Sequence, residues 1–377
     1  MHPEKANMKY KVILILLVLI YGCSTSQKTL LDHHSRLELI GQYSIPLNAQ
    51  YNGTTVGGLS GIDYDAKNKE YYIISDDGSK INPARIYKAH IRLSERGIDT
   101  VQFISVTTLL NQNGVPFSPA AIDPEANRYF LPRNLIAWSS EGERTRKNDE
   151  WNLRDPAVYF SNQMGKMVDS FLLPANLHMS SLEKGPRNNG SFEGITFDEK
   201  YRSLYVNVEE PLFEDGPQAA SGDTTAWTRI IQFDVNTRKP VAQYAYKVDP
   251  VAYPAQPAQA FKINGVSEIF WLAPGQLLAI ERSFSTGRLG CVIKLYLVDL
   301  KDASDVSNVT SLNTSKDFKP VTKKLLLNME DLGIPIFNIE GITWGPRLAN
   351  GHSTLLLVAD DNFSQVDKTQ FLLFELK

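Results

Sequence analysis

The chain is poor in the residues that most often carry chemistry. Of its 377 residues only two are cysteine and six are histidine. The cysteines are Cys23 and Cys291. If Cys23 is spent on an N-terminal anchor, Cys291 has no partner, and no disulfide is available even in an oxidising compartment. Cys291 precedes an apolar strand and reads as a small core residue. His33 and His34 fall in a polar N-terminal stretch, and His90, His178 and His352 are scattered. No H-E-x-x-H or P-loop occurs, and Gly57-Gly58-Leu59-Ser60-Gly61 has the wrong spacing for a G-x-S-x-G elbow. Charge of either sign is not in excess: the net value is −3, which gives no electrostatic reason to expect nucleic acid as a partner. The N-terminal apolar run covers residues 12–20. As a helix it would reach about 14 Å, too short for a bilayer.

That run nevertheless has a context. Met8-Lys9-Tyr10-Lys11 is a short basic segment before it, and Gly22-Cys23 closes it. The arrangement resembles a bacterial lipoprotein signal, in which the cysteine is lipidated and becomes the first mature residue. An ordinary secretory signal cut nearby is the alternative. On the first reading residues 1–22 are a signal peptide, Cys23 is the lipidation site and residues 23–36 are a polar tether. Residues 37–377 are then one domain held by its lipid in the cell envelope, on the periplasmic or surface face of the outer membrane.

β-forming sequence, by contrast, is plentiful. With 16 Tyr and 17 Phe the chain suits half-buried strands, and 24 Gly with 20 Pro supply turns. One hairpin pattern recurs: an apolar run opened by an acid and glycine, a turn, and a second apolar run closed by acids. Its clearest copies are Phe192-Glu193-Gly194-Ile195 before Val206-Asn207-Val208-Glu209-Glu210, and Ile339-Glu340-Gly341-Ile342 before Val358-Ala359-Asp360-Asp361. Leu59-Ser60-Gly61-Ile62 before Ile74-Ser75-Asp76-Asp77 is a third. Weaker copies are Pro124-Glu125-Ala126 before Ser139-Ser140-Glu141, and Ser267-Glu268-Ile269 before Ile280-Glu281-Arg282. Aligned on the glycine or its equivalent at 61, 126, 194, 269 and 341, the copies step by 65, 68, 75 and 72 residues. Such a period marks a repeat architecture. A third β-rich run follows each hairpin and a fourth follows most, and four strands per unit make a propeller blade. The expected fold is therefore an all-β propeller of five blades, with a sixth still open near 211–227 or 301–320. The last unit lacks a fourth strand and the first has a spare one at 37–45, so pairing the two closes the ring without an exposed edge.

In each antiparallel hairpin, the residue opening the first strand and the residue closing the second lie at one end of the sheet. Glu125, Glu193, Glu268 and Glu340, with Ser60 equivalent, are expected to ring one channel mouth. Asp76, Asp77, Glu141, Glu209, Glu210, Glu281, Asp360 and Asp361 follow just outside. Crowded carboxylates repel, and such sites hold cations, arginine partners or raised pKa values. Ca²⁺, which takes about six to eight oxygen ligands, is the expected cofactor. Its candidate ligands are Asp76, Asp77, Glu193, Glu210, Glu281, Glu340, Asp360 and Asp361. Arg282, read as standing where the other copies place their second acid, and the loop residues Arg133 and Arg288 are candidate partners for a phosphate or other oxyanion. The plain alternative is that each acid caps a turn and each glycine is conformational.

These same stretches, with Gly58-Leu59-Ser60-Gly61-Ile62, Asp123-Pro124-Glu125-Ala126, Glu281-Arg282-Ser283-Phe284 and Ala359-Asp360-Asp361-Asn362-Phe363, resemble the phytase-like family described as having esterase-like activity of phytase. The resemblance runs from about residue 37 to 377. It implies a β-propeller exported by bacteria and hydrolysis of a phosphoester or ester. The second copy departs from the pattern, with Asn127 where Ile is expected. The expected function is a monomeric hydrolase acting on a phosphorylated or ester small molecule at the acidic mouth. In that reading Ca²⁺ polarises the phosphoryl group, Glu193 or Glu340 takes a proton from water, and Arg282 steadies the developing charge. Two other classes compete: a non-catalytic propeller binding a ligand or partner protein, and a metal-free carboxylate acid/base enzyme.

Overall fold

The structure, a computed structural model, describes residues 36–222 and 226–377, so the signal peptide and Cys23 lie outside the described residues. Twenty strands form five antiparallel four-stranded sheets. Blade 1 is Leu59–Asp65, Glu70–Ser75, Arg85–Ser94 and Gly97–Thr108. Blade 2 is Pro124–Phe130, Leu135–Ser140, Ala157–Ser161 and Met167–Ser170. Blade 3 is Phe192–Phe197, Ser203–Val208, Trp227–Asp234 and Lys239–Lys247, and blade 4 is Lys262–Ala273, Gln276–Ser285, Val292–Asp299 and Thr322–Asn328. Blade 5 takes Asn338–Gly345, Ser353–Asp360 and Gln370–Leu376, and its fourth strand is Leu37–Ser44 from the other end of the chain. Leu37 faces Leu376 and Tyr43 faces Phe371 in that pair, so the expected closure is present. Two short hairpins, Gln50–Tyr51 with Thr54–Thr55 and Glu143–Lys147 with Glu150–Arg154, decorate the ring.

The segments left open for a sixth blade form no blade. Residues 301–320 instead lie against the flank of blade 3, where Val306 and Leu312 pack on Ala245. The buried Arg229–Asp215 pair joins the two segments, because Arg229 also donates to the carbonyls of Val306 and Val309 and Asp215 accepts from the Leu312 amide.

The two inner strands of each blade bury both faces, since each blade is covered by its neighbours, whereas the outermost strands are largely half-buried or exposed. The core is accordingly a set of apolar layers between adjacent blades. Blades 2 and 3 meet through Phe130, Phe160, Phe192 and Phe197, and blades 4 and 5 through Phe270, Ile280, Ile339 and Phe374. The first strands converge on the axis, where small residues set the spacing. A Cβ added to Gly61 would sit 2.8 Å from the Ala126 Cα, and one on Gly341 3.2 Å from the Gly61 Cα. One on Gly194 would meet Glu268 Oε1 at 2.2 Å and the Ile269 amide at 2.5 Å. The glycines of the repeat are therefore required by backbone approach at the axis.

Candidate active site

In blades 1, 4 and 5 the pairing register skips one residue in the first strand near the axis, and in blades 2 and 3 the irregularity covers Glu125 with Ala126 and Glu193 with Gly194. The residues at this bulge are Ser60, Glu125, Glu193, Ser267 and Glu340. A bulge re-aims its side chain out of the ladder, and here it aims at the channel mouth. Counting along the second strand in the same register gives Asp76, Glu141, Glu209, Arg282 and Asp360 as the matching strand-end residues. Seven of these ten positions are carboxylates, and Arg282 is the cation among them.

This register corrects the reading of blade 4 by one residue in both strands. Ser267 holds the place of Glu193, and Glu268 falls at the glycine position of the repeat, at the closed axis. There Glu268 pairs with Arg128 of blade 2 at 2.8 Å with both side chains buried. Arg282 stands at the place of the first acid rather than the second, and Glu281 points away, into a cluster with Tyr246, Asn264 and Lys323. Strand side chains alternate faces, so a shift of one residue moves each side chain to the opposite side.

The second acids of the pairs behave like Glu281. Asp77 accepts from the amides of Lys80, Ile81 and Asn82 and pairs with buried Arg85 at 2.8 Å. Burial would raise its pKa, but those amides and Arg85 hold it below the usual carboxylate range. Asp361 accepts from the amides of Gly58 and Phe363 and from Thr369. Glu210 is held by Gln218 and lies against Gly190. The structure thus brings Asp76, Glu193, Glu340 and Asp360 to one mouth with Arg282, and leaves Asp77, Asp361 and Glu281 as turn and cluster acceptors. Arg133 sits in the turn between strands at the opposite mouth, and Arg288 lies 3.6 Å over the Tyr253 ring.

Glu125, Glu141 and Glu209 complete the ring, with Asp123 beside Glu125 and Glu141. Glu141, Glu193 and Glu209 bring carboxylate oxygens within 4.8 Å of one another, and Glu141 shares a second such group with Asp123 and Glu125. Glu141 and Glu209 were legible as strand-end acids; what selects them is the face on which the strand presents them. Arg282 Nη2 bonds Glu209 Oε1 at 2.6 Å, and its Nε lies 3.7 Å from Glu340 Oε1. Asn338 also donates to Glu340, at 2.9 Å. Burial pushes Glu193, Glu125, Glu141, Asp76 and Asp360 well above the carboxylate range, and neighbouring acids add to it. Burial raises Glu340 to about 7, against the pull of Arg282. Asp76 Oδ1 and Glu209 Oε2 are buried with no hydrogen-bond partner among the described residues. Beside the ring is a small cleft of about 160 Å³, lined by Asp123, Lys80, Arg154, Thr145 and Asn189.

Residues 54–363 match the family model phytase-like, described as esterase-like activity of phytase. The chain belongs to the phytase-like family. A fungal relative from Arthroderma benhamiae, an uncharacterized secreted protein, is 30% identical over 148 residues, which is 36% of this phytase-like chain and 28% of that protein. The chain thus spans about a quarter of the length of that relative. Among solved structures, an endo-arabinase from Bacteroides thetaiotaomicron is 10% identical, over 88% of this chain and 96% of that one, with a TM-score of 0.43. An α-L-arabinofuranosidase from Lactobacillus brevis is 9% identical, over 88% and 92%, with a TM-score of 0.45. An exo-β-1,3-galactanase from Phanerochaete chrysosporium is 9% identical over 89% of this chain but 64% of its own, with a TM-score of 0.44. Among the described residues no helix is long and apolar enough to cross a membrane.

Proposed function

We propose that the acidic mouth is a cation-dependent hydrolytic site for a phosphoester or ester small molecule. One observation carries the reading. Three glutamates from two adjacent blades each bring a carboxylate oxygen within 4.8 Å of the others, and Glu209, one of the three, has an oxygen, Oε2, that is buried without a partner among the described residues. An unpaired buried acceptor costs about 1–3 kcal/mol, and a hard divalent cation such as Ca²⁺ would offset it by direct ligation. Glu141, Glu193 and Glu209 would hold the ion, with Asp76, Glu340 and Asp360 extending the donor set. Bound there, Ca²⁺ would supply Lewis-acid polarisation of the scissile group.

The chain's own residues supply the rest. Lys80 and Arg154 line the adjoining cleft and suit the anionic part of a substrate. Glu340, with its pKa near 7, can take and return a proton at neutral pH. Arg282 positions Glu209 and Glu340 and contributes fixed positive charge where negative charge develops. The proposal extends to location: the propeller sits in the cell envelope, tethered by a lipid on Cys23, and Cys23→Ala then releases it from the membrane fraction.

Calorimetry with CaCl₂ and turnover of p-nitrophenyl phosphate and p-nitrophenyl acetate test the site. Ca²⁺ at 100 times its Kd is expected to stabilise the fold by about 2.7 kcal/mol. Glu193→Gln and Glu340→Gln each lower Ca²⁺ affinity and turnover by about 100-fold (about 2.7 kcal/mol) while folding normally. The surface control Asp302→Asn changes neither. Ca²⁺ binding without turnover of either ester points to the binding-module class. Turnover undiminished in excess chelator points to carboxylates acting alone.

A further inference from the structure

We infer that the opposite mouth of the propeller is a second binding site, for a neutral saccharide of two or three rings. The two mouths are separate sites, because Gly61, Ala126, Gly341 and the buried Arg128–Glu268 pair close the axis between them. The cavity at the far mouth is about 670 Å³, several times the cleft beside the acidic ring. That size lies within the range of roughly 300–1,000 Å³ that encloses an organic ligand. Every blade contributes to it through the far end of its first strand or the turn that follows.

Its chemistry selects the ligand. Tyr64, Tyr129, Tyr201, Phe270, Trp271 and Trp344 give the wall broad apolar surface. Asp63 and Arg128 stand at the floor with Thr196 and Thr343. Asp63 is fixed by the Tyr129 amide at 2.7 Å and by the Thr343 hydroxyl at 3.2 Å. Arg128 is neutralised by Glu268 and already lies over the Phe270 ring, 5.4 Å from its centroid. An anion meets an acidic surround of Asp63, Asp65, Asp198 and Glu199, against Lys67 and a neutralised Arg128. A permanent cation would lie beside that guanidinium and find an aromatic face already taken. The polar atoms on offer are instead mixed. Trp271 Nε1 and Arg128 Nε are donors, Gln276 Oε1 is an acceptor, and all three are buried without a partner among the described residues. Aromatic faces that cover C–H surface, with unpaired donors and acceptors between them, match a neutral ring bearing hydroxyls on its edges. Trp271 and Gln276 lie at the strand ends beside the turn of blade 4, within the lining of this cavity.

Titration of the full chain with maltotriose, cellotriose and laminaritriose, followed by calorimetry and tryptophan fluorescence, tests this. Tetramethylammonium and inositol hexakisphosphate serve as cationic and anionic comparisons. At least one trisaccharide is expected to bind with a Kd below about 1 mM. Trp271→Phe, which keeps a ring stacked on Tyr205 but removes the N–H, should weaken that binding about tenfold or more with little change in melting temperature, and Tyr201→Ala, which also removes packing on Phe130 and Phe197, should weaken it as much. Glu193→Gln at the other mouth should leave it unchanged. The inference is overturned if none of the three sugars binds, if binding survives both wall substitutions, or if only tetramethylammonium or the hexakisphosphate binds in their place.

Discussion

At the scale of single residues, the axis and the ring obey opposite rules. The axis tolerates no added volume, and the three glycines are not equal. Gly194 has backbone and a carboxylate within 2.6 Å of a new Cβ, Gly61 has contacts from 2.8 Å, and Gly341 meets a movable Val358 methyl at 2.7 Å and backbone only at 3.1 Å. Overpacking a fixed backbone costs about 1–3 kcal/mol or more. Urea denaturation is therefore expected to rank the losses Gly194→Ala, then Gly61→Ala, then Gly341→Ala. A flat series would mean the axis relaxes freely. The ring carries too much like charge for its own stability. Glu141→Gln keeps an acceptor for the Ser191 amide while removing a buried charge crowded by Glu209. It should raise the melting temperature in chelator at pH 8 and lower the gain from Ca²⁺. A structural acid would lose stability in both conditions.

At the scale of elements, the first and last strands illustrate how a blade edge is removed. Leu37 and Leu39 pack into the layer between blades 4 and 5, and Ile40 and Tyr43 into the layer between blades 5 and 1. Deleting residues through 46 strips both layers and exposes the edge of Gln370–Leu376. Light scattering should then show aggregation, and calorimetry a melting temperature lower by roughly 10 °C or more. An unchanged melt would mean the closing strand contributes nothing. Blade 4 offers an acid one residue late in its first strand and one residue early in its second, so matching by residue type aligned Glu268 and Glu281 with the ring. The bulge at Ser267 decides the register, and it places Arg282 on the ring in their stead. The signal available in the sequence was the strand parity: Glu281 precedes a residue that occupies the acid position, and Arg282 fills it.

At the scale of the whole molecule, buried acids make stability depend on pH in a definite direction. Burial raises Glu210, Glu268 and Glu340 each to about 7, above their unfolded value of 4.5. The folded state therefore binds more protons than the unfolded chain across this interval. Their contribution is fully present below about pH 4.5 and is lost as pH rises through 7. Asp249, held at about 2 by Lys323, Tyr296 and Lys294 against its burial, acts oppositely, but its window lies below pH 4. In chelator the melting temperature is thus expected to fall between pH 5 and pH 8, and saturating Ca²⁺ to flatten that slope. A melt that rises over the same interval would contradict the burial of these three acids.

Hydrophobic alternation, turn residues and a period near 70 residues were enough for the sequence to determine the β class, the repeat and the closure by residues 37–45, because each is a local or periodic property, while the count of five blades over six was decided by the fold. Arg128 and Glu268, on the other hand, lie 140 residues apart and meet only because blades 2 and 4 converge on one axis. The same convergence gathered Glu141 and Glu209 beside Glu193, turned Asp77 and Asp361 into loop caps, and walled the far mouth with aromatics from several blades. Composition reveals which side chains a strand carries, but the face each one presents depends on a register that a single bulged residue reverses.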